Sequence, residues 1–291
     1  MKPPPFSYHD PRTTADVVGL LTSLDNVKLL AGGQSLMPML NMRYVLPDHV
    51  IDLNRVDGLS YIREQNGALE IGAMPRQRDI EFSDLVRQRC PLMHGAIVQV
   101  GHRQTRNRGT LGGSLCHLDP AAELVSVAAA LNAKVSVTGK SGSRNIDFSD
   151  FPVAYMTPAL ELDELLTGVT FPCWPAGHGH AFVEFSRRHG DFAIVAAAAL
   201  IAEDKAGKVT RASLTLGGLG PAPIRASDVE RALIGETIEE KRLRDICEPL
   251  GKLDAVDDIH APASYRQHLA TVLARRALLK AHQRITTRTA S

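Results

Sequence analysis

Arg106-Asn107-Arg108-Gly109-Thr110-Leu111-Gly112-Gly113-Ser114-Leu115 is the stretch on which the reading of this chain turns. It joins two adjacent glycines to flanking hydroxyls, inside a basic, glycine-rich loop read over residues 101–113. A second glycine pair lies upstream in Ala31-Gly32-Gly33-Gln34-Ser35. That pair follows Val27-Lys28-Leu29-Leu30-Ala31, which reads as a short buried strand. Adjacent glycines reach backbone conformations closed to other residues and let a ligand approach main-chain N–H groups closely. Successive N–H groups form an anion nest, and a helix N-terminus adds partial positive charge. Ser35, Thr110 and Ser114 add hydroxyls. Two such loops converging suit a pyrophosphate; each alone also reads as a tight turn.

Working outward, Thr13 or Thr14 caps a helix carrying Val17, Val18, Leu20, Leu21 and Leu24. A short helix begins near Ser35, and Val50-Ile51-Asp52-Leu53 is a strand. Residues 59–74 form a hairpin, because Asn66-Gly67 tolerates positive φ at both turn positions. Residues 79–100 hold a helix or two around Pro91, and a helix with Asp119 as cap and Pro120 in its first turn runs to about Leu131. Residues 134–138 and 161–171 are strands, with a turn at 139–143. Residues 173–179 (CWPAGHG) are the best linker. Beyond them, strands at 192–203 and 208–216 precede helices at 228–233 and 264–282, an α+β pattern.

Composition narrows the function. The chain has 291 residues, enough for two domains. Lys plus Arg number 33 and Asp plus Glu 32, a net charge of +1, so there is no electrostatic case for nucleic acid. Four cysteines at 90, 116, 173 and 247 contain no CxxC, which excludes an iron–sulfur run or a zinc ribbon in this chain. Cys116 reads as a buried, inert thiol. The Pro-rich start, residues 1–11, has no apolar signal region. The longest apolar run, residues 192–202, is far short of the roughly 20 residues that span a bilayer. A cytoplasmic protein is expected. No GxGxxG, Walker A, HExxH or GxSxG motif occurs, and His178 and His180 read as linker residues rather than metal ligands. Arg103, Arg106 and Arg108 either offset phosphate charge or form a solvated basic face, and Asp191 either meets the ligand or pairs with Arg187.

Gly32-Gly33-Gln34-Ser35-Leu36-Met37-Pro38 and residues 106–115 resemble the two FAD motifs of the medium subunit of molybdenum hydroxylases. That family includes the carbon monoxide dehydrogenase flavoprotein and the FAD domain of xanthine dehydrogenase. Ile71-Gly72-Ala73-Met74, Asp119-Pro120-Ala121-Ala122-Glu123, residues 187–193, Asp258-Ile259-His260 and residues 265–269 extend the resemblance in order along nearly the whole chain. The resemblance implies an α+β protein. Residues 1–175 would be a two-lobed FAD-binding domain of the PCMH (vanillyl-alcohol oxidase-like) type, with lobes of about 1–56 and 57–175. Residues 179–285 would be a smaller C-terminal domain of antiparallel sheet plus helices.

By the same resemblance, Ala31, Gly32, Gly33, Gln34, Ser35 and Leu36 would hold the FAD pyrophosphate from one side, and Thr110, Gly113 and Ser114 from the other. Asp119 would lie near the ribose or adenine. Leu165 or Leu166 would pack by the isoalloxazine, with Phe192 near the ring. Two positions depart from the pattern. Gln34 stands where relatives often carry His or Thr, and an amide still donates and accepts. Glu184 stands near a lysine of many relatives, and a carboxylate there would not stabilise an anionic reduced flavin.

The implied function is an FAD electron-transfer subunit with no catalytic triad and no metal of its own. A small [2Fe–2S] subunit would deliver electrons, a large molybdopterin subunit would oxidise the substrate, and FADH2 would feed NAD+, oxygen, a quinone or another external acceptor. Family likeness suggests a dimer of heterotrimers. The rival is a self-contained FAD oxidoreductase, which needs an acid/base group at the flavin; a scaffold that has lost FAD fits poorly with intact glycine loops.

Overall fold

The computed structural model describes residues 1–289, with side chains to Ile285. Strand Val27–Leu30 forms where expected but is half-exposed rather than buried, and it pairs in parallel with His49–Asp52, which pairs in turn with Ser7–His9. Helix Thr14–Ser23 joins two of these strands and is closed at its start by a reciprocal capping box between Thr13 and Asp16. A five-stranded antiparallel sheet follows, ordered Ile62–Gln65, Ala68–Gly72, Leu165–Pro172, Lys134–Gly139, Gly142–Asp147. Asn66 and Gly67 turn its first hairpin at φ 51° and 74°, as their sequence signal requires.

The last sheet is antiparallel: Gly179–Phe185, Val195–Glu203, Val209–Gly217, Ile224–Arg225. Strand Val195–Glu203 explains the long apolar run. Ala196, Ala198 and Leu200 face one hydrophobic core, which reaches back to Val17. Val195, Ala197, Ala199 and Ile201 face a second, closed by the long helix Ala263–Thr289. A strand covered on both faces reads as continuous apolar sequence rather than as an alternation.

Helix Glu123–Ala130 docks on this sheet through small residues. A Cβ at Gly217 would lie 2.3 Å from Ser126 Oγ. Ser213 Oγ donates to Ala130 O at 2.7 Å, and Gly218 N to Pro120 O at 2.9 Å. On the long helix, Leu269, Leu273 and Ala277 are core, while Val272 and Leu279 are partly exposed.

Several expectations need correction. Residues 79–100 hold parts of three helices, Gln77–Phe82, Asp84–Arg89 and Pro91–Ile97, because Ser83 ends the first and caps the second. The expected loop over residues 101–113 contains a helical turn, Arg103–Arg106, and the start of helix Leu111–His117. The helix expected from Pro120 begins at Glu123; Asp119 instead accepts from Ala121 N at 2.9 Å in a local turn. Within residues 173–179, Trp174 is buried with the Arg211 guanidinium 4.1 Å from its ring centroid, while residues 175–177 are exposed. Strand Gly179–Phe185 and helix Glu240–Cys247 carried no recognised signal. The helix buries only Leu243 and Cys247, too thin a stripe to stand out. Among the described residues no helix is long and apolar enough to cross a membrane.

Candidate functional site

Strand Val27–Leu30 delivers the chain into the first glycine pair. Gly33 has φ 76°, a conformation that excludes an ordinary side chain at little cost only for glycine. Gly32 is required by proximity: a Cβ there would lie 2.2 Å from Arg108 O. The two glycine motifs therefore converge, as their sequences suggested. Among the described residues, the N–H groups of Gly32, Gly33, Gln34 and Ser35 donate no backbone hydrogen bond. A row of free N–H groups beside a cationic side chain is an anion nest. Helix Leu36–Asn41 starts directly after it, and Ser35 makes no side-chain cap bond, which leaves its hydroxyl open. The cleft holds about 370 Å³ and is lined by Leu30, Gly33, Gln34, Met37, Pro38 and Arg108, among others.

The second glycine pair is built differently from the expected loop. Thr110 caps helix Leu111–His117 by accepting from Gly113 N at 3.0 Å, and Gly112 and Gly113 lie in the first helical turn. Their purpose is close packing rather than unusual φ. A Cβ at Gly112 would lie 2.8 Å from Ala73 Cβ, and one at Gly113 would lie 2.8 Å from Thr110 Oγ1. Thr110 is buried and its oxygen is engaged by Gly113 N, so these two groups are matched to each other. Ser114 is half-buried.

The basic residues separate in role. Arg106 is nearly buried against Glu81 at 2.8 Å and also donates to Val100 O at 3.0 Å. It is a structural ion pair, neither phosphate ligand nor solvated face. Arg108 is exposed at the cleft. Asp191 and Arg187 stand 4.0 Å apart on the surface. Leu165 and Leu166, expected beside a ring, are 1% and 2% exposed inside the first core, since both faces of their strand are covered. Phe192 is 62% exposed, in the loop between Phe185 and Val195. Desolvation pushes the Cys116 thiol up to about 12, so it is inert at neutral pH.

Two buried carboxyls escaped sequence reasoning as a pair. Glu123 starts its helix at 4% exposure, and burial, with Asp119 nearby and Arg106 opposing, raises its pKa to about 7. Glu184 pairs across the sheet with Ala196 and so faces the same core as Phe182 and Ala198. One of its oxygens is buried without a partner. Burial and then the Glu123 charge raise Glu184 to about 8. Burial and the Glu123 charge thus favour the protonated form of Glu184, where sequence alone suggests a carboxylate.

Because both folded pKa values exceed the ordinary 4.5, the folded state holds the extra protons. Stability is full below about 4.5 and falls as pH rises through about 7 and 8. Glu184→Gln is expected to flatten the decline in melting temperature between pH 5 and pH 9; a slope equal to the wild type would refute the assignment.

The cleft, its free N–H row and Arg108 suit an anionic group such as a nucleotide cofactor's phosphates, and comparison with known proteins identifies the family. Residues 4–174 match the family described as "FAD binding domain in molybdopterin dehydrogenase", and residues 180–281 match "CO dehydrogenase flavoprotein C-terminal domain". The chain belongs to this family of FAD-binding oxidoreductase chains. It is 38% identical to the 6-hydroxypseudooxynicotine dehydrogenase complex subunit alpha of Paenarthrobacter nicotinovorans, over 98% of this chain and 97% of that one. It is 33% identical to the carbon monoxide dehydrogenase medium chain of Afipia carboxidovorans, over 98% and 99%. Its fold superposes on the carbon monoxide dehydrogenase of Hydrogenophaga pseudoflava with a TM-score of 0.94 at 32% identity, covering 98% and 99% of the two chains. For quinoline 2-oxidoreductase of Pseudomonas putida 86 the TM-score is 0.93 at 34% identity, over 97% and 99%.

Proposed function

We propose that this chain is the FAD-binding electron-transfer subunit of a multi-subunit molybdenum hydroxylase. The observation that carries the reading is the row of free N–H groups at residues 32–35, set against a second glycine motif in a chain of this family. When bound, FAD takes up electrons singly or in pairs and passes them on. The protein's share is binding and orientation. Ala31, Gly32, Gly33, Gln34, Ser35 and Leu36 would hold the pyrophosphate from one side, with Arg108 adding positive charge. On the other side, Thr110 and Gly113 would shape the wall and the Ser114 hydroxyl would donate. Asp119 would serve the ribose or adenine end, with one oxygen already committed to its turn. The exposed Phe192 would cover the ring, while Leu165 and Leu166 would back it from the core.

In this reading residues 1–175 are the FAD domain, of the PCMH type and with lobes near 1–56 and 57–175. Residues 179–285 are the C-terminal domain. A small iron–sulfur subunit supplies electrons, and a large molybdopterin subunit oxidises the substrate. An external acceptor drains the flavin, in a cytoplasmic dimer of heterotrimers. The test is affinity purification of the chain from its native source with metal analysis. Co-purification of an iron–sulfur chain and a molybdenum-containing chain is expected. A catalytically competent lone chain would instead establish the self-contained oxidoreductase.

A further inference from the structure

Side chains outside both glycine motifs tie one motif to the other. Asn54 Nδ2 donates to Ala31 O at 3.1 Å, and Asn54 Oδ1 accepts from an Arg76 Nη2. Arg76 Nη1 then donates to Arg108 O at 2.7 Å. This is the same carbonyl that a Cβ at Gly32 would strike. Two side chains thus span the gap between the motifs and end on a carbonyl of each. The strand end anchors them: Asp52 Oδ1 accepts from Asn54 N at 2.8 Å, and Tyr8 Oη donates to Asp52 Oδ2 at 2.7 Å. Burial works against the Asp52 charge, but the Tyr8 and Asn54 hydrogen bonds and the nearby Arg108 hold its carboxyl below the usual range.

The peptide plane makes this consequential. The Ala31 carbonyl and the Gly32 N–H belong to one trans peptide and point in opposite directions. Whatever fixes Ala31 O therefore aims the first N–H of the free row.

We propose that Asn54 and Arg76 form a strut that positions the two halves of the FAD cradle through their main chains, without touching the cofactor. The proposal rests on the FAD reading above. Removing either end frees the Ala31–Gly32 peptide to rotate and the two motifs to part. Misplacement of binding groups by about 1 Å can cost on the order of 100-fold.

The test is FAD titration of the full-length chain by flavin fluorescence quenching, with thermal melting of the FAD-free chain alongside. Asn54→Ala removes the bonds to Ala31 O and Arg76 without setting a second carboxylate against Asp52, whose Oδ1 also accepts from Asn54 Nδ2. Arg76→Lys keeps the charge and loses the two-pronged geometry. Both are expected to weaken FAD affinity by at least about tenfold while the FAD-free melting temperature stays close to wild type. The double variant is expected to be no weaker than the worse single, because both break one connection.

Wild-type affinity in Arg76→Lys together with loss in Arg76→Leu would make Arg76 a mere counter-charge and overturn the strut. Additive losses, or lowered melting with unchanged affinity, would overturn it too. A wild-type chain that binds no FAD would instead refute the underlying reading.

Discussion

Gly32→Val is expected to yield a chain that no longer retains FAD. The added Cβ would sit 2.2 Å from Arg108 O, 2.8 Å from its carbonyl carbon and 2.8 Å from Gly109 Cα. All three are main-chain atoms, so no side-chain rotation relieves the clash. The opposing segment is itself tied down, with Gly109 O accepting from Gln77 N at 2.8 Å and Arg108 O from Arg76. The motifs must part, and the free N–H groups of residues 32–35 then lose their facing wall. We expect FAD affinity to fall by roughly 100-fold or more, by the same positioning argument. Gly19→Ala is the control. A Cβ at Gly19 meets nothing within 4 Å, so that helical substitution is expected to leave FAD affinity unchanged. Equal FAD retention in Gly32→Val and wild type would mean that the convergence of the motifs has no part in binding.

The second large effect is on stability. Arg266 is 4% exposed on the long C-terminal helix. Its Nη1 donates to Ile194 O at 2.6 Å and to Gly218 O at 2.8 Å, and its Nη2 meets Asp258 Oδ2 at 2.7 Å. One guanidinium thus joins the helix, the end of the loop carrying Phe192, the turn after strand Val209–Gly217 and the segment before the helix. Arg266→Met keeps much of the volume but strands two carbonyls, while Asp258, 38% exposed and still accepting from His260 N and Ala261 N, falls back on solvent. Each buried acceptor left unpaired costs about 1–3 kcal/mol. In a chain of this size two such losses correspond to a drop of roughly 10 °C in melting temperature. A shift under about 2 °C would show that solvent replaces these bonds at little cost.

Much of this was legible in sequence because the relevant physics is local. Asn66-Gly67 declares its turn by conformational preference alone. Val27–Leu30 running into Gly33 is a strand followed by a residue with positive φ, and both follow from residue type. The doubly buried strand Val195–Glu203 showed itself as unbroken apolar sequence. The second glycine pair misled for a physical reason. Glycine serves both for unusual φ and for close approach, and only the fold places Ala73 against Gly112.

Other features depend on contacts that no local pattern encodes. Sequence leaves Arg106 open between offsetting phosphate charge and a solvated face, and the Glu81 partner makes it neither. Glu184 reads as a charge in sequence, whereas burial and Glu123 favour its protonated form. Asn54 and Arg76 belong to no motif, and their role exists only because two turns meet at the same gap.

The most direct measurement is the FAD content of the purified full-length chain, taken from flavin absorbance at about 450 nm after saturation with FAD and removal of the excess. The account predicts one tightly held FAD per chain, lost in Gly32→Val and retained in Gly19→Ala. A colourless, FAD-free wild-type chain would contradict it.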